Sequence, residues 1–155
     1  MKKVLIAYFS ASGVTARAAK ELAQTLDADL YEIRPETPYT AADLDWTNKK
    51  SRSTVEMNDP ACRPAIAEPV KNMAQYGAVF VGFPVWWYVE PQIVDTFLES
   101  YDFSGKTLIP FATSGGSGIA KAEKSLREHC PNADWKKGEL VNSGAAEWAK
   151  HALNA

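Results

Sequence analysis

Histidine and cysteine are scarce in this chain, two of each among 155 residues, and that scarcity excludes a good deal. His129 and His151 form no cluster with Cys62 and Cys130, so the ligand spacing of a structural zinc site is missing. The two cysteines share no motif, which points to free thiols in a reducing, cytoplasmic setting. A surplus of charge is missing as well. Seventeen Lys and Arg against nineteen Asp and Glu leave −2 overall, without the basic excess that binding nucleic-acid phosphates demands. Long apolar runs are lacking: the longest, Ala78 to Val89, is twelve residues interrupted by Gly82 and Pro84, too short to span a bilayer. Met1-Lys2-Lys3 and Val4 to Phe9 begin like a signal peptide, but the apolar part is too short and polar Ser10, Ser12 and Thr15 follow. Neither nucleic acid nor membrane is expected as a partner.

What is present is 46% hydrophobic residues in a length suited to one domain, 1–155. Val4 to Phe9 is apolar without alternation, as in a strand buried on both faces. Val14, Ala18, Leu22 and Leu26 then recur at helical spacing, and Asp29 to Ile33 reads as a second strand ended by Pro35. Ala78 to Phe83 is a third strand, stopped by Pro84. Pro91 opens a helix with Val94, Phe97, Leu98 and Tyr101 inward. Thr107 to Ala112 is a fourth strand, and Ile119, Ala122, Leu126 and Cys130 mark the helix after it. A weaker strand near Glu139 to Val141 and a helix holding Trp148, Ala152 and Leu153 follow. Alternating strands and helices with buried strands predict an α/β fold, a doubly wound three-layer sandwich. Residues 36–67 do not fit that alternation. They are rich in proline, yet Tyr39, Leu44, Trp46, Val55 and Met57 give them apolar anchors, so an ordered insertion over one sheet edge is expected.

Ligands of open parallel sheets bind beyond the carboxyl ends of the strands, and three turns should meet there. Ser10-Ala11-Ser12-Gly13-Val14-Thr15 puts three hydroxyls and a glycine where a helix begins, an arrangement suited to a phosphate. It lacks the lysine of a nucleoside triphosphate loop; a simple helix cap would need only one of its hydroxyls. Pro84-Val85-Trp86-Trp87-Tyr88-Val89-Glu90-Pro91 carries three consecutive aromatics that cannot all enter one core. One should therefore offer a stacking face, unless both tryptophans pack under the next helix. Thr113-Ser114-Gly115-Gly116-Ser117-Gly118 lets backbone approach a ligand closely, or is merely a flexible loop. Together they suit a phosphorylated, planar heteroaromatic ligand.

These residues resemble the flavodoxin family, specifically short-chain members that bind flavin mononucleotide (FMN). The first turn follows the family's phosphate-loop pattern. Gly82-Phe83-Pro84-Val85-Trp86-Trp87, Gly105-Lys106 and Pro110 to Gly118 are similar to a subgroup of flavodoxins and flavin-dependent oxidoreductases. So is the Arg52 to Pro64 stretch with Ser53, Glu56, Met57 and Arg63. The resemblance implies a five-stranded parallel sheet of order 2-1-3-4-5 and non-covalent FMN. Ser10, Ala11, Ser12, Gly13, Val14 and Thr15 would hold the ribityl phosphate. Pro84, Val85, Trp86, Trp87 and Tyr88 would flank the ring on one side, with Thr113, Ser114, Gly115, Gly116 and Gly118 on the other. It also implies electron transfer to redox partner proteins or a small-molecule acceptor. The alternative is an NAD(P)H-dependent FMN oxidoreductase of the quinone reductase type.

Three departures from the family pattern favour that alternative. The chain is near neutral where many carriers are acidic. The third turn has no aromatic to cover the second ring face. No glycine lies between Phe83 and Pro91, where many relatives have one whose peptide turns toward the flavin. A turn to positive φ at a residue bearing a side chain costs roughly 1–2 kcal/mol, so this segment is expected to resist it. A phosphorylation-dependent receiver is excluded, since strands one and three end in Phe9-Ser10 and Phe83-Pro84 without clustered acids. A Ser-His hydrolase lacks an identifiable histidine partner, and His129 and His151 read as surface or helix-end residues.

Overall fold

The computed structural model describes residues 3–114 and 116–153. Strand β1 (Lys3–Tyr8), helix α1 (Val14–Leu26) and β2 (Asp29–Glu32) come first, then a short helix α2 (Arg52–Met57). After β3 (Tyr76–Pro84), α3 (Gln92–Glu99), β4 (Thr107–Thr113) and α4 (Ala120–His129), the chain forms β5 (Asp134–Trp135), β6 (Glu139–Leu140) and α5 (Ala145–Ala152). The sheet order is β2-β1-β3-β4-β5, with β6 also on β4, and every pairing is parallel. The apolar run of β1 serves two cores. Leu5, Ala7 and Phe9 face one, under Val94, Phe97 and Leu98 of α3 and Leu126 of α4. Ile6 and Tyr8 face the other, under Ala18 and Leu22 of α1 and Ala149 of α5. Fully burying each large apolar side chain contributes ~1.5–3 kcal/mol, which holds the helices on both faces. Among the described residues no helix is long and apolar enough to cross a membrane, and both cysteines are free.

Three expectations need correction. On α1, Val14 is exposed and Leu26 only half-buried, while Thr15 and Ala19 join Ala18 and Leu22 inside. The single fifth strand is instead two short pieces. Even-numbered residues of β4 face that edge, since Lys106, Leu108 and Ala112 accept from Asp134, Lys136 and Val141. Pro110 should donate there and has no N–H, so the ladder breaks opposite it. Gly138 fills the break; a Cβ on it would stand 2.4 Å from the Pro110 carbonyl oxygen. The insertion, finally, does not stay at an edge. It leaves β2 through an antiparallel bridge between Pro35 and Ile66, lays Tyr39 against Phe9 and Trp86, and reaches α3 through Arg63 and Glu99.

Candidate functional site

The first turn is shaped by two residues. Gly13, at φ 95°, caps α1 in a left-handed conformation that side chains rarely adopt. Ser10 Oγ accepts from the N–H of Gly13 at 3.1 Å and of Ala16 at 3.2 Å. Among the described residues no acceptor of the chain takes the N–H groups of Ser12, Val14 or Thr15, so the positive end of the α1 dipole faces outward with free donors. Ala11 packs against the core and Ser12 is exposed. Thr15 is buried, and its hydroxyl meets that of Thr113 at 2.8 Å. This buried bond ties the first turn to the third.

The second turn departs from what its composition suggests. Trp86 and Val89 exchange hydrogen bonds, Trp86 N–H to Val89 O at 2.9 Å and Val89 N–H to Trp86 O at 3.1 Å. Trp87 (φ 48°) and Tyr88 (φ 74°) form the corners, the backbone signs of a type I′ turn, which ordinarily takes Asn-Gly. The expected resistance to positive φ is therefore overcome in the resting turn: tertiary structure holds two bulky residues in the strained region. Trp86 packs edge-on against Phe9 at 5.7 Å and Tyr39 at 5.6 Å. Trp87 and Tyr88 remain 43% and 56% exposed, and Lys121 Nζ lies 5.1 Å from the centre of the Tyr88 ring. Neither tryptophan is fully buried: Trp86 is half-buried, Trp87 is exposed, and both line the same cavity. Pro84 ends β3 beside Thr113, and Val85 N–H donates to Thr113 O at 2.9 Å.

Asn142, which sequence reasoning passed over, braces the third turn. Its Oδ1 accepts from Ser114 N–H at 2.9 Å and its Nδ2 donates to Ser114 O at 2.6 Å. Ser114 Oγ in turn accepts from Gly116 and Ser117, so this is a built loop. Gly118 is exposed with open space beside it. Gly115 lies outside the described residues.

A cavity of about 610 Å³ joins the second and third turns, walled by Val85, Trp86, Trp87 and Tyr88 on one side and Ser114, Gly116 and Ser117 on the other. The volume suits a small-molecule cofactor. Leu44, Trp46 and Ser53 of the insertion complete the wall. An aromatic from outside the second turn thus lines the cavity: Trp46, 72% exposed. Ser53 Oγ is buried without a hydrogen-bond partner among the described residues, a polar group available to the cavity. The insertion is held by Arg52, which donates to Glu56 at 2.9 Å and Thr37 O at 2.7 Å and covers the Tyr39 ring at 3.8 Å. Burial first, and then its hydrogen bond to Glu56, pushes the Tyr39 phenol far up, so it stays a donor. The phosphate-type turn does not itself wall the cavity; it adjoins the cavity through Thr15, Thr113 and Phe9. Leu44 and Ser53 stand out in the sequence as residues of the insertion, but that they reach the cavity depends on where the insertion folds back.

An anion-binding helix start beside an aromatic-walled cavity, on the carboxyl rim of a doubly wound sheet, defines a nucleotide-binding class of protein. Within that class the chain belongs to the flavodoxin family, whose model matches residues 3–154. No curated relative matches it significantly. Among solved structures it is similar to a candidate flavoprotein from Bacteroides eggerthii, with 49% identity, 99% of this chain and 97% of the other covered, and a TM-score of 0.95. A flavoprotein in complex with FMN from Lactobacillus acidophilus shares 20% identity over 96% and 99%, with a TM-score of 0.76. An NADH:FMN oxidoreductase in its apo form shares 19% over 99% and 87%, at 0.58. The last two similarities show the fold alone.

Proposed function

We propose that this protein binds FMN non-covalently and carries electrons through it to redox partner proteins or a small-molecule acceptor. The observation that supports this best is the Thr15–Thr113 bond, which holds free N–H donors for a phosphate next to an aromatic-walled cavity for a ring. Ser10 to Thr15 would hold the phosphate, and Trp87 and Trp46 would shield the ring, with Ser114, Gly116 and Ser53 along its polar edges. Bound FMN supplies the redox chemistry; the chain binds, orients and shields it. Residues 1–155 act as one unit in this reading.

The test compares FMN with riboflavin. Each charge-assisted bond to the phosphate contributes ~1.5–3 kcal/mol, so riboflavin should bind about a hundredfold or more weakly. Equal affinities would remove the phosphate assignment. A second reading, the NAD(P)H-dependent FMN oxidoreductase, draws on the near-neutral charge. Rapid anaerobic bleaching of the flavin by NADH or NADPH would favour it; inertness favours the carrier.

A further inference from the structure

Directly after the strained turn the chain buries a carboxyl. Glu90 is 2% exposed, and Asp95, in the first turn of α3, is 3% exposed. Glu90 Oε2 accepts from Ser125 Oγ of α4 at 2.9 Å. His129 Nδ1 stands 3.7 Å from Glu90 Oε2 and 3.5 Å from Asp95 Oδ1. It is also 2.8 Å from the Ser125 carbonyl, which can only accept, so Nδ1 carries a hydrogen there. Arg63 is engaged with Glu99 at 2.9 and 3.0 Å and with Gln92 Oε1 at 3.2 Å. Two buried oxygens are left without a partner among the described residues, Glu90 Oε1 and Asp95 Oδ1. One oxygen of Glu90 and one of Asp95 lie within 4.8 Å of each other and of a ring nitrogen of His129. Two ionised carboxylates buried that close repel; one proton held by the pair removes the repulsion and gives the orphaned oxygens a donor.

We propose that Glu90 and Asp95 share a single proton, and that this carboxyl–carboxylate bond is the anchor that positions the Trp86–Val89 turn over the cavity. The positioning role rests on the FMN reading above. Strained backbone persists only where its surroundings hold it. On one side the turn is held by Val85 on Thr113 and by Trp86 between Phe9 and Tyr39. On the other side Glu90 ties it to α3 through Asp95 and to α4 through Ser125. Burial raises Asp95, and the facing Glu90, the positive charge of Arg63 and the start of α3 act against that rise; the proton belongs to the pair. Burial, and then the facing Asp95, lift Glu90 well above the ordinary carboxylate range. His129, Glu99 and Arg63 are the other charged or titratable groups facing the pair. Raising the pH removes the shared proton, sets two negative charges in contact and loosens the anchor. A divalent cation would compete for the same oxygens, but the imidazole nitrogen facing them is committed to Ser125 O.

Infrared difference spectra and FMN titrations of the apoprotein, from about pH 6 to about pH 9.5, test both halves of the proposal. The expected result is a protonated-carboxyl band at neutral pH that disappears in Glu90→Gln and on alkalinisation, while FMN binding weakens about tenfold across the same range. Glu90→Gln donates to Asp95 and accepts from Ser125 without titrating, so its FMN affinity should stay flat. Asp95→Asn, which donates to Glu90, should flatten the profile likewise and serves if the first variant folds poorly. Absence of the band at neutral pH overturns the shared proton, as does one-to-one binding of Zn²⁺ that abolishes the band. A present band with the same FMN profile in wild type and both variants overturns the positioning role. Failure to bind FMN at any pH overturns the flavin reading and the positioning role with it, while the band still decides the proton.

Discussion

Trp87 and Tyr88 sit at corners that asparagine and glycine occupy at ease, and each carries part of the strain of a left-handed backbone. Replacing the pair by Trp87→Asn with Tyr88→Gly should raise stability by up to about 1 kcal/mol, read as a higher urea midpoint. The same double variant should weaken FMN binding about two- to tenfold, because a stacking face worth ~0.5–1.5 kcal/mol is gone. Unchanged affinity would mean that these rings serve the turn and not the ligand. Thr15→Val strands the buried Thr113 hydroxyl and should cost about 1–3 kcal/mol in urea unfolding. If stability holds while FMN binding falls, the bond serves the site alone.

At the scale of elements, Gly138→Ala must push the edge strand away from Pro110. A loss of about 1–3 kcal/mol is expected, seen in the same urea experiment; a neutral result would show that the edge shifts freely. The expected order of strands and helices agrees with the structure because buried apolar runs and prolines mark them locally: α1 begins at Val14, β3 ends at Pro84 and α3 follows Pro91. What a local reading missed depends on neighbours in space. Pro110 reads as an ordinary strand residue until the edge it faces is known. Trp46 is an evident aromatic candidate for covering the ring, but a local reading cannot place it until its loop is seen to fold back to the cavity. The left-handed turn runs against local preference and is held by tertiary contacts. Glu90 and His129 are far apart along the chain, so nothing in the pattern joins them.

Across the whole molecule, the buried carboxyl pair gives stability a definite slope with pH. Both groups are raised by burial, so over a range above the ordinary carboxylate values the folded chain keeps a proton that the unfolded chain has released. Unfolding free energy then falls as pH rises, by at most about 1.4 kcal/mol per unit for one group. The contribution is complete in acid and spent at alkaline pH. Glu99, lowered chiefly by its hydrogen bond to Arg63, slopes the other way, but only toward acid. Thermal midpoints from about pH 6 to about pH 9 should therefore decline in wild type and less in Glu90→Gln; parallel curves would assign the slope elsewhere. A net charge of −2 also means little long-range steering. Electron transfer to a protein partner should vary only weakly with ionic strength, unlike that of a strongly acidic carrier.

The closure of the insertion has a consequence for how such a protein diversifies. Glu36 N–H donates to Ala65 O at 2.9 Å and Ala67 N–H to Arg34 O at 2.8 Å, so the excursion starts and finishes at one clasp. Doubling the length of a clasped loop adds only about 0.6 kcal/mol of closure entropy. The segment that brings Trp46, Leu44 and Ser53 to the cavity can thus be varied while the sheet keeps its register, provided that Tyr39 stays on Trp86 and Arg63 on Glu99. Selectivity toward whatever meets the cofactor is in this way separable, in engineering and in descent, from the folding of the domain that holds it.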